Sequence, residues 1–206
     1  MADVDAKVGL VNRALMKLGL PASFTTDAES NLGGIVDLVW PGLVARVSTI
    51  YNWSTFQKTK QADALADTPA NGWAYGFALP GDRVGEILAV LREPTREHYL
   101  RDYMIEAGQL FTNETPVYLR YRALQDPRYW DAGFSEAFVV ALAGELAIPL
   151  LQSDKMADKF RGDAFGRLDQ NDGGGLFGKL ITLNRSAMPQ GRRFMDDDQL
   201  TRARFM

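Results

Sequence analysis

Between Trp130 and Leu151 the chain sets apolar side chains around nearly the whole circumference of a helix, and from Phe134 to Leu151 only Glu136 and Glu145 carry charge. A helix without a polar face cannot lie on the outside of a water-soluble domain. It requires partners on every side, so this run predicts the central helix of a bundle. Its most apolar part, Ala137 to Leu151, is short for a bilayer and includes Glu145, so no membrane anchor is expected. Pro149 is expected to bend or shorten the last turn.

The remaining helical signals supply those partners. Val4, Val8, Val11, Leu15 and Leu18 recur at steps of four and three, which predicts a first helix over about 3–18. Asp3 stands at its N-cap position, and Gly19 with Pro21 ends it. Leu32, Ile35, Val36, Val39, Leu43, Val47 and Ile50 repeat the spacing in a second helix. Pro41-Gly42 interrupts that one, so a kink or two abutting helices are expected there. Ser153 or Asp154 caps a fourth helix whose stripe is Met156, Ala157, Phe160, Ala164, Phe165 and Leu168.

The middle of the chain changes period. Trp73, Tyr75, Phe77 and Leu79 alternate with small residues, the pattern of a strand with one bulky face, and Pro80-Gly81-Asp82 is a turn. A second strand falls within 84–92, and 99–106, Ala107-Gly108 and 109–112 form a hairpin. Val117 to Arg122 completes the set, with Val117, Leu119 and Tyr121 on one face and Tyr118, Arg120 and Arg122 on the other. The expected fold class is therefore α+β, mainly α: a four-helix bundle with a small antiparallel β insert at about 72–122 and an extended C-terminal tail. Residues 1–172 form the bundle domain. Residues 173–206 form a glycine hinge, Gly173-Gly174-Gly175, followed by the tail, which shows no sustained helical period.

Composition narrows the chemistry. Of 206 residues 46% are hydrophobic, enough for a real core, and the net charge is −3. A weakly acidic chain lacks the concentrated positive field of a general duplex-DNA binder. There is no cysteine, which removes thiolate catalysis, thiolate metal sites and disulfides. The single histidine, His98, sits in a charged stretch without a nucleophile signature and reads as a surface residue. Asp196-Asp197-Asp198 reads as a solvated acidic turn, because three consecutive carboxylates rarely converge on one ion. The glycine run is no phosphate loop, since no Lys-Ser/Thr follows it. Trp53, Phe56, Trp73, Tyr75 and Phe77 read as core and sheet packing in preference to a base-stacking surface. No catalytic, cofactor or metal site emerges. The acidic N-terminus, without an apolar run behind it, is not expected to be a signal peptide.

Several segments, taken in order, resemble the tail tubular protein A family of short-tailed phages. They are Ala14-Leu15-Met16-Lys17-Leu18-Gly19; Trp53-Ser54-Thr55-Phe56 with the basic residues after it to Lys60; Gly72-Trp73 through Leu79-Pro80-Gly81-Asp82; Val117-Tyr118-Leu119-Arg120-Tyr121; and Asp126-Pro127-Arg128-Tyr129-Trp130 leading into the long alanine-rich helix. The resemblance covers roughly residues 8–170. It implies a non-enzymatic virion protein at the head–tail interface, made in the host cytoplasm. Its partners would be further copies in a dodecameric homo-oligomeric ring, the portal protein, and a tail nozzle or tail-tube protein. Duplex DNA would pass through the channel without sequence recognition, during genome retention and ejection. Two other readings stay open: a head-completion or neck protein of a long-tailed phage contacting a tail terminator, and a hydrolase using carboxylate pairs.

The tail carries its own signal. Residues 176–206 hold six basic and three acidic side chains, a local charge of +3, which leaves −6 for residues 1–175. Arg192-Arg193-Phe194-Met195 and Arg202-Ala203-Arg204-Phe205-Met206 repeat one theme, arginine followed by Phe-Met. Phe and Met are apolar anchors, and Arg pairs with carboxylates. Arg192, Arg193, Phe194, Met195, Arg202, Arg204, Phe205 and Met206 are therefore candidate partner-docking residues, for the portal or a neighbouring subunit.

Overall fold

The run that constrains the sequence most becomes a helix whose middle, residues 137–144, is buried on every side. In the computed structural model, which describes residues 6–25, 31–95, 98–166 and 174–187, this is helix α3, Ala132–Leu151. Asp131 caps it by accepting a 2.8 Å bond from the Phe134 amide, and Gln152 ends it in the left-handed region at φ 51°. Around it pack α1 (Ala6–Lys17), α2 (Asn31–Thr49), α4 (Asp154–Phe165) and α5 (Gly175–Ala187). By length and composition α3 is apolar enough to cross a membrane. Its burial against four other helices gives that apolar surface a use inside the protein.

The two charges of α3 meet opposite charges on neighbouring helices. Glu136 accepts from Arg13 and from Lys17, the latter at 2.8 Å, both on α1. Glu145 takes a two-pronged contact from Arg161 of α4, at 3.2 and 3.0 Å. Close approach of α3 to α4 depends on Gly144, where an added Cβ would lie 3.2 Å from the Arg161 amide nitrogen. α2 runs as one helix through Pro41, so of the two arrangements the sequence allows there, a kink or two abutting helices, two separate helices are not what forms. Trp40, beside that proline, packs edge-on against Phe138 with ring centroids 4.9 Å apart, so tertiary packing accompanies the continuous course.

The insert is larger than a small hairpin layer. Strands β1 (Gln57–Gln61), β7 (Tyr118–Arg122) and β4 (Ala89–Leu91) form one antiparallel sheet in the order β1-β7-β4. Strands β2 (Asp63–Ala64), β3 (Tyr75–Ala78), β6 (Gln109–Thr112) and β5 (Tyr103–Glu106) form a second, in the order β2-β3-β6-β5. The two share a core of Phe77, Leu110, Val90, Val117, Leu119 and Tyr121, separate from the helical core. Ala107 and Gly108 both have positive φ and turn the β5–β6 hairpin in two residues. Phe111 lies across Gly76, its directly paired neighbour, with ring atoms 3.2 Å from where a Cβ would stand.

These features overturn the expected four-helix bundle with a small β insert. Among the described residues there are five helices and two antiparallel sheets of seven strands, a mixed helix–sheet fold. The insert begins at Gln57, not near residue 72, because Gln-Lys-Thr-Lys-Gln pairs along β7 as an edge strand. An edge strand can be polar on both faces, as this one is, and then shows no alternation. The chain after the glycines does not leave the body at once either. Gly175, at φ +57°, starts α5, and a Cβ there would lie 2.6 Å from the Asp163 carbonyl oxygen. Phe177 is then fully buried in the helical core.

Candidate functional site

The chain leaves the helical body after α2 and returns to it before α3, and the two crossings touch. The Ala123 amide donates to the Phe56 carbonyl at 2.9 Å, and the Arg122 guanidinium donates to the Asn52 side-chain oxygen. Burial of Arg122 pulls its pKa down. Trp53 and Phe56 stand on the outgoing crossing and Trp130 on the returning one. Each indole fixes its ring with a backbone bond: Trp53 Nε1 donates to the Val47 carbonyl at 2.8 Å, and Trp130 Nε1 to that of Gln125 at 3.1 Å. Phe134, in the first turn of α3, meets Trp53, Phe56 and Trp130 edge-on at 5.4, 5.2 and 5.1 Å. The Asp126 side chain organises the returning crossing by accepting from the Arg128 amide, and the Arg128 guanidinium beside it holds its carboxyl below the usual range.

Helix α5 lies along this aromatic group and leaves a cavity of about 260 Å³. Its lining includes Trp53, Phe56, Trp130, Phe134, Leu180 and Leu183. Gly133 makes room for α5, since a Cβ there would lie 2.9 Å from Leu180 Cδ2. Three polar side chains reach the cavity: Thr55, Asp131 and Asn184. Asn184 Nδ2 donates to Ser54 Oγ at 3.3 Å, while Asn184 Oδ1 is buried without a hydrogen-bond partner. Leu183 is 63% exposed at the rim. Sequence reasoning missed this site because α5 shows no sustained helical period. The buried Phe177 and the Leu176–Leu180–Leu183 spacing were the available signal.

The β insert carries a second junction. The Asp82 carboxylate accepts from the buried Tyr121 hydroxyl at 2.9 Å and from Lys58 Nζ at 2.7 Å. The Lys58 hydrogen bond lowers the pKa of Asp82, and the same bond raises that of Lys58. Burial, then the Asp82 contact, raises that of Tyr121. On the four-stranded sheet Tyr75 and Tyr103 flank Thr112 in one cross-strand row, and Ile105 stands next to Leu110 in the neighbouring row of the same face. Tyr75, Tyr103 and Ile105 are each about two-fifths exposed, and among the described residues β5 pairs on one side only.

The residues singled out from sequence fall as follows. Trp53, Phe56 and Phe77 are buried, Trp73 is half-buried, and Tyr75 is exposed. His98 is partly exposed, its Nδ1 4.0 Å from a Glu93 carboxylate oxygen. Among the described residues no three His, Cys, Asp or Glu side chains cluster as a metal site would require. The docking candidates Arg192, Arg193, Phe194, Met195, Arg202, Arg204, Phe205 and Met206, and the Asp196–Asp198 run, lie outside the described residues. No protein-family model matches the chain, and no curated protein matches it.

Proposed function

We propose that this chain is a structural subunit of a tailed-phage particle, an adaptor forming a ring between the portal and the tail nozzle. The observation that carries the reading is how the resembling segments meet in space. Phe56 packs on Trp130, Trp53 joins them through the Phe134 ring that all three meet, and Lys58, from the same segment as Trp53 and Phe56, meets Asp82 of the Leu-Pro-x-Asp turn and pairs with Tyr121 of the later strand. Four segments far apart in the chain thus build the junction between insert and body and a second junction inside the insert. A chance series of short motifs has no reason to converge; a series inherited with a fold does.

The surfaces fit a role in assembly. A closed ring needs two complementary flanks on each subunit. The exposed strip of Tyr75, Tyr103 and Ile105, beside β5, an edge strand among the described residues, offers one apolar flank. The excess negative charge of residues 1–175 suits a channel wall that must let DNA slide, because like charge does not grip phosphate. The basic, apolar C-terminal residues serve docking onto the portal or a neighbouring subunit.

Electron microscopy of the full chain mixed with the portal encoded in the same genome tests the proposal. The expected result is an extra ring of density beneath the portal. A chain that stays monomeric and unbound at every concentration would sink it. Ile105→Glu should keep the fold and weaken the ring.

A further inference from the structure

We infer that the aromatic cavity beside α5 is the seat of the chain's own Phe194-Met195 pair, so that the first Arg-Phe-Met copy is held on the body and the second stays available for a partner. This goes beyond the adaptor reading and stands without it, because it concerns the free chain.

Size favours a side chain over a free ligand. At about 260 Å³ the cavity falls below the roughly 300–1,000 Å³ of typical small-molecule sites. Its walls are four aromatic rings and two leucines, the surroundings in which a buried phenylalanine or methionine gains most. The polar groups match the flanks of the segment. The Asp131 carboxylate faces the cavity, and Arg192 and Arg193 immediately precede Phe194.

Connectivity favours the same chain. Helix α5 ends at Ala187, and Leu183 and Asn184 on the cavity wall lie about 6 Å or less back along its axis. Met188-Pro189-Gln190-Gly191 follows, with the residues that stop helices and reverse chains. Phe194 is seven positions beyond Ala187, up to about 23–25 Å of extended chain, more than a return to the cavity needs. So short a tether gives an effective concentration in the millimolar range, far above that of a second copy in dilute solution.

The chain has no cysteine, so a pair can be introduced without interference. Thr55 is exposed at the cavity and Asp196 adjoins the anchor pair. Full-length Thr55→Cys/Asp196→Cys should close an intramolecular disulfide under dilute mild oxidation. Thr55→Cys/Leu200→Cys is the control, because four more residues in a loop this long change closure entropy negligibly. The expected result is at least tenfold faster closure for the first pair, falling to the control rate when Phe194→Ala or Leu183→Glu is added. Leu183 is exposed, so that variant should still unfold cooperatively. Equal rates for the two pairs would overturn the proposal, and so would disulfide-linked dimers in place of the intramolecular form.

Discussion

The Tyr121 hydroxyl donates a 2.9 Å hydrogen bond to the Asp82 carboxylate across 39 residues of sequence. Tyr121 is a core side chain of the insert, and Asp82 closes the turn after Leu79 and Pro80. The bond therefore ties a β7 residue to the loop between β3 and β4. Tyr121→Phe keeps the ring and removes only the bond, so it should cost about 0.5–1.5 kcal/mol in denaturant unfolding. Asp82→Ala strands the buried hydroxyl and should cost more, about 1–3 kcal/mol. In the double variant no hydroxyl is left unpaired, so its loss should be smaller than the sum of the two. Strict additivity would mean the pair does not interact.

Acid should weaken the protein through the same carboxylate. The folded pKa of Asp82 lies below its ordinary value because Lys58 hydrogen-bonds to it. A lowered folded pKa means stability that is fully present above the unfolded value, near 3.9, and lost as pH falls through the folded one. Glu114, held down by Arg92, and Glu136, held down chiefly by Lys17, act in the same direction. At the alkaline end Lys58 and Tyr121 have raised values, so their contribution is present below about pH 10 and lost above it. Melting temperature against pH should therefore fall on both sides of a neutral plateau. Asp82→Asn should flatten part of each limb, and an unchanged profile would remove Asp82 as a source of either.

What could be read from the sequence divides along physical lines. α3 was legible because burial on all sides leaves an unbroken apolar run. β7 was legible because one face is core and the other solvent: Leu119 and Tyr121 point in, while Tyr118, Arg120 and Arg122 do not. The Ala107-Gly108 turn was legible from its glycine, which takes positive φ without steric cost, whereas Ala107 takes it against its preference. β1 was hidden, since Gln57–Gln61 is held by backbone pairing to β7 and has no apolar face. α5 was hidden because three glycines precede it. Those glycines read as a hinge, yet Gly175 packs directly against the backbone of α4. The cavity could not be foreseen without α5, which forms one of its walls.

That close passage makes a test of α5. A Cβ at Gly175 would stand 2.6 Å from the Asp163 carbonyl oxygen and 2.7 Å from Ala164 backbone atoms, and the residue has φ +57°. Gly175→Ala combines backbone strain with overlap and should cost more than about 2 kcal/mol in thermal or chemical unfolding. Gly162, inside α4, has nothing within 4 Å of the corresponding position. Gly162→Ala should instead be neutral or stabilise by up to about 1 kcal/mol through helix propensity. Equal effects at the two glycines would contradict the packing of α5 on α4.

Phe177 tests whether α5 belongs to the body or to a detachable tail. Its ring stacks on Phe165 at 5.2 Å and meets Phe134 at 5.7 Å and Trp53 at 6.3 Å. Removing a fully buried phenylalanine costs the transfer free energy plus the cavity left behind, about 3–5 kcal/mol. Phe177→Ala should therefore lower the global unfolding transition by that amount and alter the emission of Trp53, whose ring it touches. Phe177→Leu should recover most of the loss. If α5 were a loosely attached tail, Phe177→Ala would leave the main transition where it is, because the core of α1, α2, α3 and α4 would not sense it.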